Sequence, residues 1–230
     1  MLDLENPHSI LAAFKLRPED ILNLRVAQGK KFSGIWQEIL DLAQKHYIRI
    51  IEDRELYGMQ VRVRARAPVM TSELFSSVKT WQSQQVWLAL EELQDPQNVG
   101  AIFRTAAFFG IQGVILTQQR SSPLTSTVYD VASGALEMVP FAMQTNLKQA
   151  FEIAQEAGVW VLGSSEHASG RLDQVPKDRP WLVVLGNEEK GIKPLTARHC
   201  DLLCRIPAKG NLSSLNVSVA SGIILCALTV

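Results

Sequence analysis

An arginine on an otherwise apolar helix is costly to bury unpaired and asks for an anionic or carboxylate partner. Arg104 has such a place, in AIFRTAAFF (101–109), directly after DPQNVG (95–100). Pro96 and Gly100 shape a turn there, and Asn98 opens the helix, which puts Arg104 in its second turn. Two later segments have a similar character. In VVLGNEEKGI (183–192) an apolar strand runs into a glycine, then polar and acidic residues, then a second glycine. In RIPAKGNLSSLNVSVASGI (205–223) a strand ends at Ile-Pro, a Gly-Asn loop follows, and a helix is expected from Ser213 or Ser214. Ser214, Asn216 and Ser218 bring hydroxyl and amide groups to a helix start, and one cap accounts for only one of them. All three segments follow apolar strands, and ligands of open α/β sheets lie outside the carboxyl ends of strands. Singly, each has a plain structural explanation: a cap with a solvated arginine, a surface turn, a capped helix.

Other chemistries lack their signatures. No G-x-G occurs, so the dinucleotide fingerprint is missing. GNEEKGIK (186–193) has Ile192 where a phosphate-binding loop needs its lysine. His199, Cys200 and Cys204 (HCDLLC) have an x3 cysteine spacing with no second pair to close a tetrahedral site, so no metal is expected. None of the four histidines sits in a local catalytic signature.

The elements that must position these loops are legible as patterns. The 230 residues are 47% hydrophobic and 20% charged, the composition of a chain with a real core. Lys plus Arg and Asp plus Glu are both 23, which excludes binding to a polyanion by bulk charge and leaves local basic surfaces. Three cysteines suit a reducing compartment. MLDLENPHSI lacks the basic and apolar run of a secretory signal, and the most apolar stretch, GIILCALTV (222–230), is far short of the roughly twenty residues of a membrane span. The expectation is a cytoplasmic protein with no membrane contact.

Residues 1–68 read as a small α/β unit: helix 10–15, strand 21–27, amphipathic helix 34–46, strands 48–53 and 60–67. Residues 69–85, rich in Ser, Thr and Gln after Pro68, read as a linker. Residues 86–230 alternate strand and helix: strands 86–93, 113–118, 159–164, 181–186 and 202–207, with helices 98–110, 125–138, 146–158 and 215–228. Near-continuous apolar strands argue a mainly parallel sheet with helices on both faces. Lys15, Arg17, Arg25, Lys30 and Lys31 form one basic set. Arg62, Arg64 and Arg66, sharing one strand face by period two, form another.

The three loops, in this order, resemble motifs 1, 2 and 3 of the SpoU/TrmH family of RNA ribose 2′-O-methyltransferases. The residues are Asn98, Gly100, Arg104, Thr105 and Ala106, then Leu185 to Gly191, then Ile206 to Ala220. NPHSILAAF and the strand and helix after it resemble the RNA-binding domain that precedes the catalytic domain in the 23S rRNA guanosine branch. The resemblance implies an α/β fold with a deep trefoil knot, S-adenosyl-L-methionine as methyl donor, no metal, and a homodimer. It implies rRNA as partner, with no DNA. Gly186, Ile206 and Leu215 would hold the cofactor, with Ser164 a further candidate. Asn98, Arg104, Glu188, Ser214 and Asn216 would form the catalytic constellation, Glu188 orienting Arg104 and Asn216 fixing the ribose or the arginine. A guanidinium is effectively always protonated, so Arg104 is expected to grip the adjoining phosphate and stabilise alkoxide charge rather than act as base. Glu189 and Lys190 depart from the family pattern of Gly and an acidic residue, and the last helix ends at Val230, a few residues early. The alternatives are a tRNA substrate, an adenosine of rRNA as in the antibiotic-resistance branch, and a non-catalytic RNA-binding or ribosome-assembly factor on the same fold.

Overall fold

The computed structural model describes residues 1–76, 78, 85–212 and 214–230. The N-terminal unit runs β1 (Leu2–Leu4), α1 (Pro7–Leu16), β2 (Ile21–Ala27), α2 (Ile35–Lys45), β3 (Ile50–Asp53) and β4 (Met59–Val63). Asn6 starts α1: its Oδ1 accepts from the N–H groups of His8 at 2.9 Å and Ser9 at 3.4 Å, and Pro7 supplies the first helical position. The sheet order is β1-β4-β2-β3, with β2 and β3 parallel and the other pairs antiparallel. β1 has too few residues to show a period, and pairing with β4 is what makes it a strand. β4 is shorter than the expected 60–67 and ends at Val63, because Arg64 turns its N–H to the Asp20 carbonyl at 3.0 Å.

After α3 (Thr71–Phe75), the second unit runs β5 (Val86–Leu90), α4 (Pro96–Phe108), β6 (Gly113–Thr117), α5 (Ser126–Ala132), α6 (Ala135–Met138), β7 (Phe141–Gln144) and α7 (Leu147–Glu156). It continues through β8 (Trp160–Ser164), β9 (Gly170–Arg171), β10 (Trp181–Leu185), α8 (Pro194–Arg198), β11 (Leu202–Arg205) and α9 (Val217–Thr229). The helix expected over 125–138 is broken at Ser133 and Gly134, both in left-handed conformation. All seven strands pair in parallel, in the order β7-β6-β5-β10-β8-β11-β9. Period two divides the buried strand residues between two cores. Val86, Leu88, Leu90, Val183 and Leu185 pack on the side of α4, α5 and α9. Trp87, Ala89, Leu182 and Val184 pack with Leu147, Ala150, Phe151 and Ala154 of α7 on the other. Gly100 lets α4 and α5 cross closely, since a Cβ there would stand 2.7 Å from that of Val131. Among the described residues, no helix is long and apolar enough to cross a membrane.

The stretch 69–85, expected as a linker, contains α3, whose Leu74 and Phe75 are buried with Trp87. Residues 77 and 79–84 lie outside the described residues. The two units share one continuous core and a polar joint. Arg17, read from sequence as part of a basic set, is buried: its Nε and Nη2 both donate to the Glu137 carboxylate at 2.6 Å, and its Nη1 to the Arg64 carbonyl at 2.5 Å. Burial works against this charge, but the hydrogen bonds and charge of Glu137 outweigh it and raise the guanidinium above its ordinary pKa. Arg17→Ala would leave the Glu137 carboxylate buried without its cation, a loss of about 3–5 kcal/mol. Urea denaturation should read that loss, and should find a smaller one for the double change Arg17→Met, Glu137→Leu. A double variant that loses more than Arg17→Ala would overturn the reading that the loss comes from an unpaired buried carboxylate.

Candidate active site

Parallel pairing brings the carboxyl ends of β5, β8, β10 and β11 to one edge of the sheet, and the loops after β8, β10 and β11 enclose a cavity of about 670 Å³. Gly186, Ile206, Leu215 and Ser164, the residues expected at a cofactor, all line it. So do Glu188, Ser214 and Asn216, whereas Asn98 and Arg104 are not part of its wall.

The loop after β10 is folded back on itself. Asn187 and Gly191 exchange backbone hydrogen bonds of 3.0 and 2.9 Å, Gly191 at φ +65°. Gly186 lies so close beneath them that a Cβ would run into the backbone of Gly191 and Ile192. Asn187 Oδ1 accepts from the N–H groups of Glu189 at 3.1 Å and Lys190 at 3.2 Å, so the two departures from the family pattern fill backbone roles here, with exposed side chains. Two carboxylates at the end of β5, unmarked by any sequence signal beyond following an apolar strand, anchor the loop from below. Buried Glu91 accepts from Lys193 N at 2.9 Å and Thr196 Oγ1 at 2.5 Å, and so caps α8 from another strand. The carbonyl of Glu92 accepts from Asn187 Nδ2 at 2.8 Å, and its carboxylate from Lys193 Nζ at 2.5 Å.

Three of the five expected catalytic residues form one hydrogen-bonded chain. Asn98 Nδ2 donates to Glu188 Oε1 at 3.2 Å, and Asn98 Oδ1 accepts from Asn216 Nδ2 at 2.9 Å. Asn98 is not the cap of α4. Asp95 is, accepting from Gln97 N at 2.8 Å, and Asn98 is buried within the first turn. The helix expected from Ser213 or Ser214 starts at Val217, because Asn216 Oδ1 takes the N–H groups of Ser218 at 2.9 Å and Val219 at 3.4 Å. Ser214 precedes the helix in an exposed position, and Ser213 lies outside the described residues.

Within one chain, Glu188 makes no hydrogen bond to Arg104 among the described residues. Its carboxylate faces the positive end of α4, accepting from the N–H groups of Gln94 at 3.4 Å and Asp95 at 3.3 Å as well as from Asn98. Arg104 is six residues further along the helix, about 9 Å of rise and on another face. It is exposed, and its Nη1 donates to Ser133 Oγ at 3.4 Å. Nor does Asn216 touch it.

The basic stripe finds partners within the chain, Arg64 only through a long pair. Arg62 makes two bonds to the Asp3 carboxylate at 2.8 and 2.9 Å, Arg64 pairs with Asp20 at 3.6 Å, and Arg66 donates to the carbonyls of Leu136 at 2.7 Å and Val139 at 2.6 Å. Of the other set, Lys15 pairs with Glu38 and Arg25 with Asp53. Lys30, Lys31 and Arg54, without an acidic partner among the described residues, gather at the carboxyl ends of β2 and β3 beside Tyr57, which is 91% exposed. Burial, with the charges of Asp201 and Glu91, pushes the Cys200 thiol up to about 12, and burial pushes Cys204 up to about 11. Among the described residues no three His, Cys, Asp or Glu side chains converge as metal ligands.

Residues 85–226 match the SpoU rRNA Methylase family. The chain is 35% identical over 228 residues to the 23S rRNA (guanosine-2′-O-)-methyltransferase RlmB of Pseudomonas aeruginosa, covering 95% of this chain and 92% of that one. It is 33% identical over 202 residues to the putative TrmH family tRNA/rRNA methyltransferase YacO of Bacillus subtilis, covering 84% of this chain and 81% of that one. Its fold is similar to that of the SpoU methyltransferase AviRb from Streptomyces viridochromogenes, with a TM-score of 0.83 at 19% identity over 99% of this chain and 88% of the other. The complex of AviRb with the cofactor AdoMet gives a TM-score of 0.80 over the same shares of the two chains, also at 19% identity.

Proposed function

The chain belongs to the SpoU rRNA methylase family, and from that premise we propose that it methylates the ribose 2′-hydroxyl of a guanosine in 23S rRNA, in the cytoplasm, with S-adenosylmethionine as donor. The observation that carries this reading is the joining of all three motif loops at Asn98, beside a cavity of suitable size and lining. The cavity mixes apolar walls (Ile192, Ile206, Val217, Ala220) with polar groups (Ser164, Ser165, Glu166, Asn211), which fits a nucleoside joined to a charged amino acid. Gly186, Ile206 and Leu215 would hold the cofactor largely through backbone groups, with Ser164 beside them. When bound, S-adenosylmethionine supplies a methyl group on a positively charged sulfur. Glu188 and Asn216 keep their loops in register through Asn98. Ser214, exposed on the cavity wall, is placed to meet the ribose. Arg104, a permanent cation, grips the neighbouring phosphate and stabilises charge on the 2′-oxygen.

Arg104 lies outside the cavity wall, which supports a homodimer whose second copy completes the site. An apolar stripe at i, i+4 spacing fits that interface: Val219 and Ile223 on α9 are exposed, with Leu215 before the helix and Val230 after it. We propose residues 1–68 as the RNA-binding unit and 69–85 as its connection. Contact would be made by the loops at the carboxyl ends of β2 and β3, where Tyr57 offers a ring for base stacking. The strand order, with β10 between β5 and β8 and β11 between β8 and β9, supports the family's threaded chain. An experimental trace that pulls straight without a crossing would refute that arrangement.

With methyl-labelled donor and unmodified 23S rRNA transcript, label should appear on 2′-O-methylguanosine by nucleoside mass spectrometry. Arg104→Ala should lose transfer and keep cofactor binding, and near-parental turnover in that variant would overturn its role. Label on tRNA alone would move the substrate to the sister branch. Val219→Asp should give a monomer by light scattering and lose transfer, whereas a fully active monomer would end the dimer reading. Tyr57→Ala with Lys31→Glu should weaken RNA binding about tenfold or more and flatten its salt dependence, at unchanged cofactor affinity. Unchanged RNA affinity would remove these loops from the interface.

A further inference from the structure

Among the described residues, four other than glycine hold a positive φ: Tyr47, Glu92, Arg120 and Ser133. Three of them surround the site just described. Ser133 accepts from Arg104, while Glu92, at φ +53°, and Arg120, at φ +56°, follow the neighbouring parallel strands β5 and β6. Left-handed backbone is unfavourable for any residue with a Cβ, so each such position needs a compensating interaction. For Glu92 the structure supplies three: its N–H donates to Thr117 Oγ1 at 2.9 Å, its carbonyl takes Asn187, and its carboxylate takes Lys193.

Arg120 has no comparable support. Its side chain is 73% exposed, and its ion pair, to Glu92 Oε1, is 3.8 Å long and shared with Lys193. An exposed pair of that length contributes little. A glycine would take the same φ without strain, yet an arginine stands here. Its loop is also bound tightly to the site. Ser122 N donates to the Leu93 carbonyl at 2.7 Å, and Ser121 Oγ meets Thr117 Oγ1 at 2.6 Å. The next residues after Leu93, Gln94 and Asp95, give their N–H groups to Glu188. Arg120 is therefore carried by the segment that holds the catalytic junction.

We propose that Arg120, with Lys193 beside it, is a binding point for a phosphodiester of the RNA strand that carries the target ribose. Arg120 and Lys193 share one oxygen of Glu92, so neither has a carboxylate to itself. A phosphate replaces the long contact with a bidentate guanidinium pair, a geometry that Lys190 and Lys193 cannot reproduce. The assignment rests on the proposed function, in that RNA is the substrate.

The test is Arg120→Gly, with Arg120→Lys as the conservative variant, in the full chain. Three quantities are read: melting temperature, S-adenosylmethionine binding by calorimetry, and binding of the 23S rRNA transcript across a salt series. Arg120→Gly should melt at or above the parental temperature, because the backbone strain is released. It should bind cofactor equally, bind RNA at least tenfold more weakly, and show a salt slope shallower by about 1. Arg120→Lys should recover part of the affinity and all of the slope. A lower melting temperature with unchanged RNA affinity would make the residue structural and overturn the assignment, as would unchanged affinity alone. A parental chain that binds no RNA at all would overturn the functional reading first, and this one with it.

Discussion

The Asn98 carboxamide has to donate and accept at once, because the two groups it joins offer one half each. Glu188 brings a carboxylate, which only accepts. Asn216 uses its oxygen on the first N–H groups of α9 and has its own N–H left to give. Aspartate at position 98 would lose the donor and set a second carboxylate beside Glu188. Leucine would strip both partners of a hydrogen bond, at about 1–3 kcal/mol for each polar group left unsatisfied. Through Glu188 the junction also reaches the N–H groups of Gln94 and Asp95, at the end of α4 where a negative charge is favoured. The loops after β5, β10 and β11 are thus fixed to one another by a single side chain, and the cavity wall depends on that fixing.

The rest of the structure brings those loops within reach. β5, β10, β8 and β11 are neighbours in the sheet though far apart in sequence, and parallel pairing turns their carboxyl ends to one edge. Gly186 then allows two backbone segments to approach more closely than any side chain permits. The N-terminal unit contributes as well. Ser9 Oγ donates to the Tyr129 carbonyl at 2.7 Å and accepts from Gly134 N at 3.1 Å, while Asn6 Nδ2 reaches Ser133 Oγ at 3.4 Å. The break between α5 and α6, which presents Ser133 to Arg104, is held in place by α1. A unit whose sequence resembles an RNA-binding module is in this way also a structural support of the turn that meets Arg104.

The sheet and the motif loops were legible because their signals are local. Apolar strands such as WLVVLG and glycine-bounded polar turns are short-range patterns, and the second and third motifs contain most of the residues that line the cavity. What escaped was decided by partners distant in sequence. Asn98 looks like a cap, but Asp95 takes that role and frees Asn98 for Asn216, 118 residues away. VRVRARA reads as one basic strand face, yet each arginine finds an acid or carbonyl that only the folded chain brings near. Arg17 follows a helix and looks solvated, and its partner Glu137 is 120 residues away. Glu91 carries no motif, because capping another element's helix leaves no local trace. β1, β7 and β9 are too short to show a period, and pairing alone defines them.

Neutrality gives these pairings a consequence for recognition. With equal numbers of acids and bases, the chain has little long-range field to steer a polyanion, and at physiological salt a charge is felt over only about 8 Å. Most of its arginines are already engaged: Arg17, Arg25, Arg62, Arg64, Arg171 and Arg179 with carboxylates, Arg66 and Arg205 with carbonyls. Binding strength toward RNA therefore has to come from a few cations left without a full partner and from what lies next to them. Besides Arg104 on α4, such cations include Lys30, Lys31 and Arg54 where loops leave β2 and β3, and the loosely paired Arg120 after β6. Both edges combine positive charge with groups of fixed direction: an exposed tyrosine ring in the first, an arginine on a strained turn in the second. A chain built this way gives up non-specific affinity. On the proposed reading it would retain contacts that form only when a strand of nucleic acid lies at the right place on each edge, the selectivity that modification of one ribose in a long RNA requires.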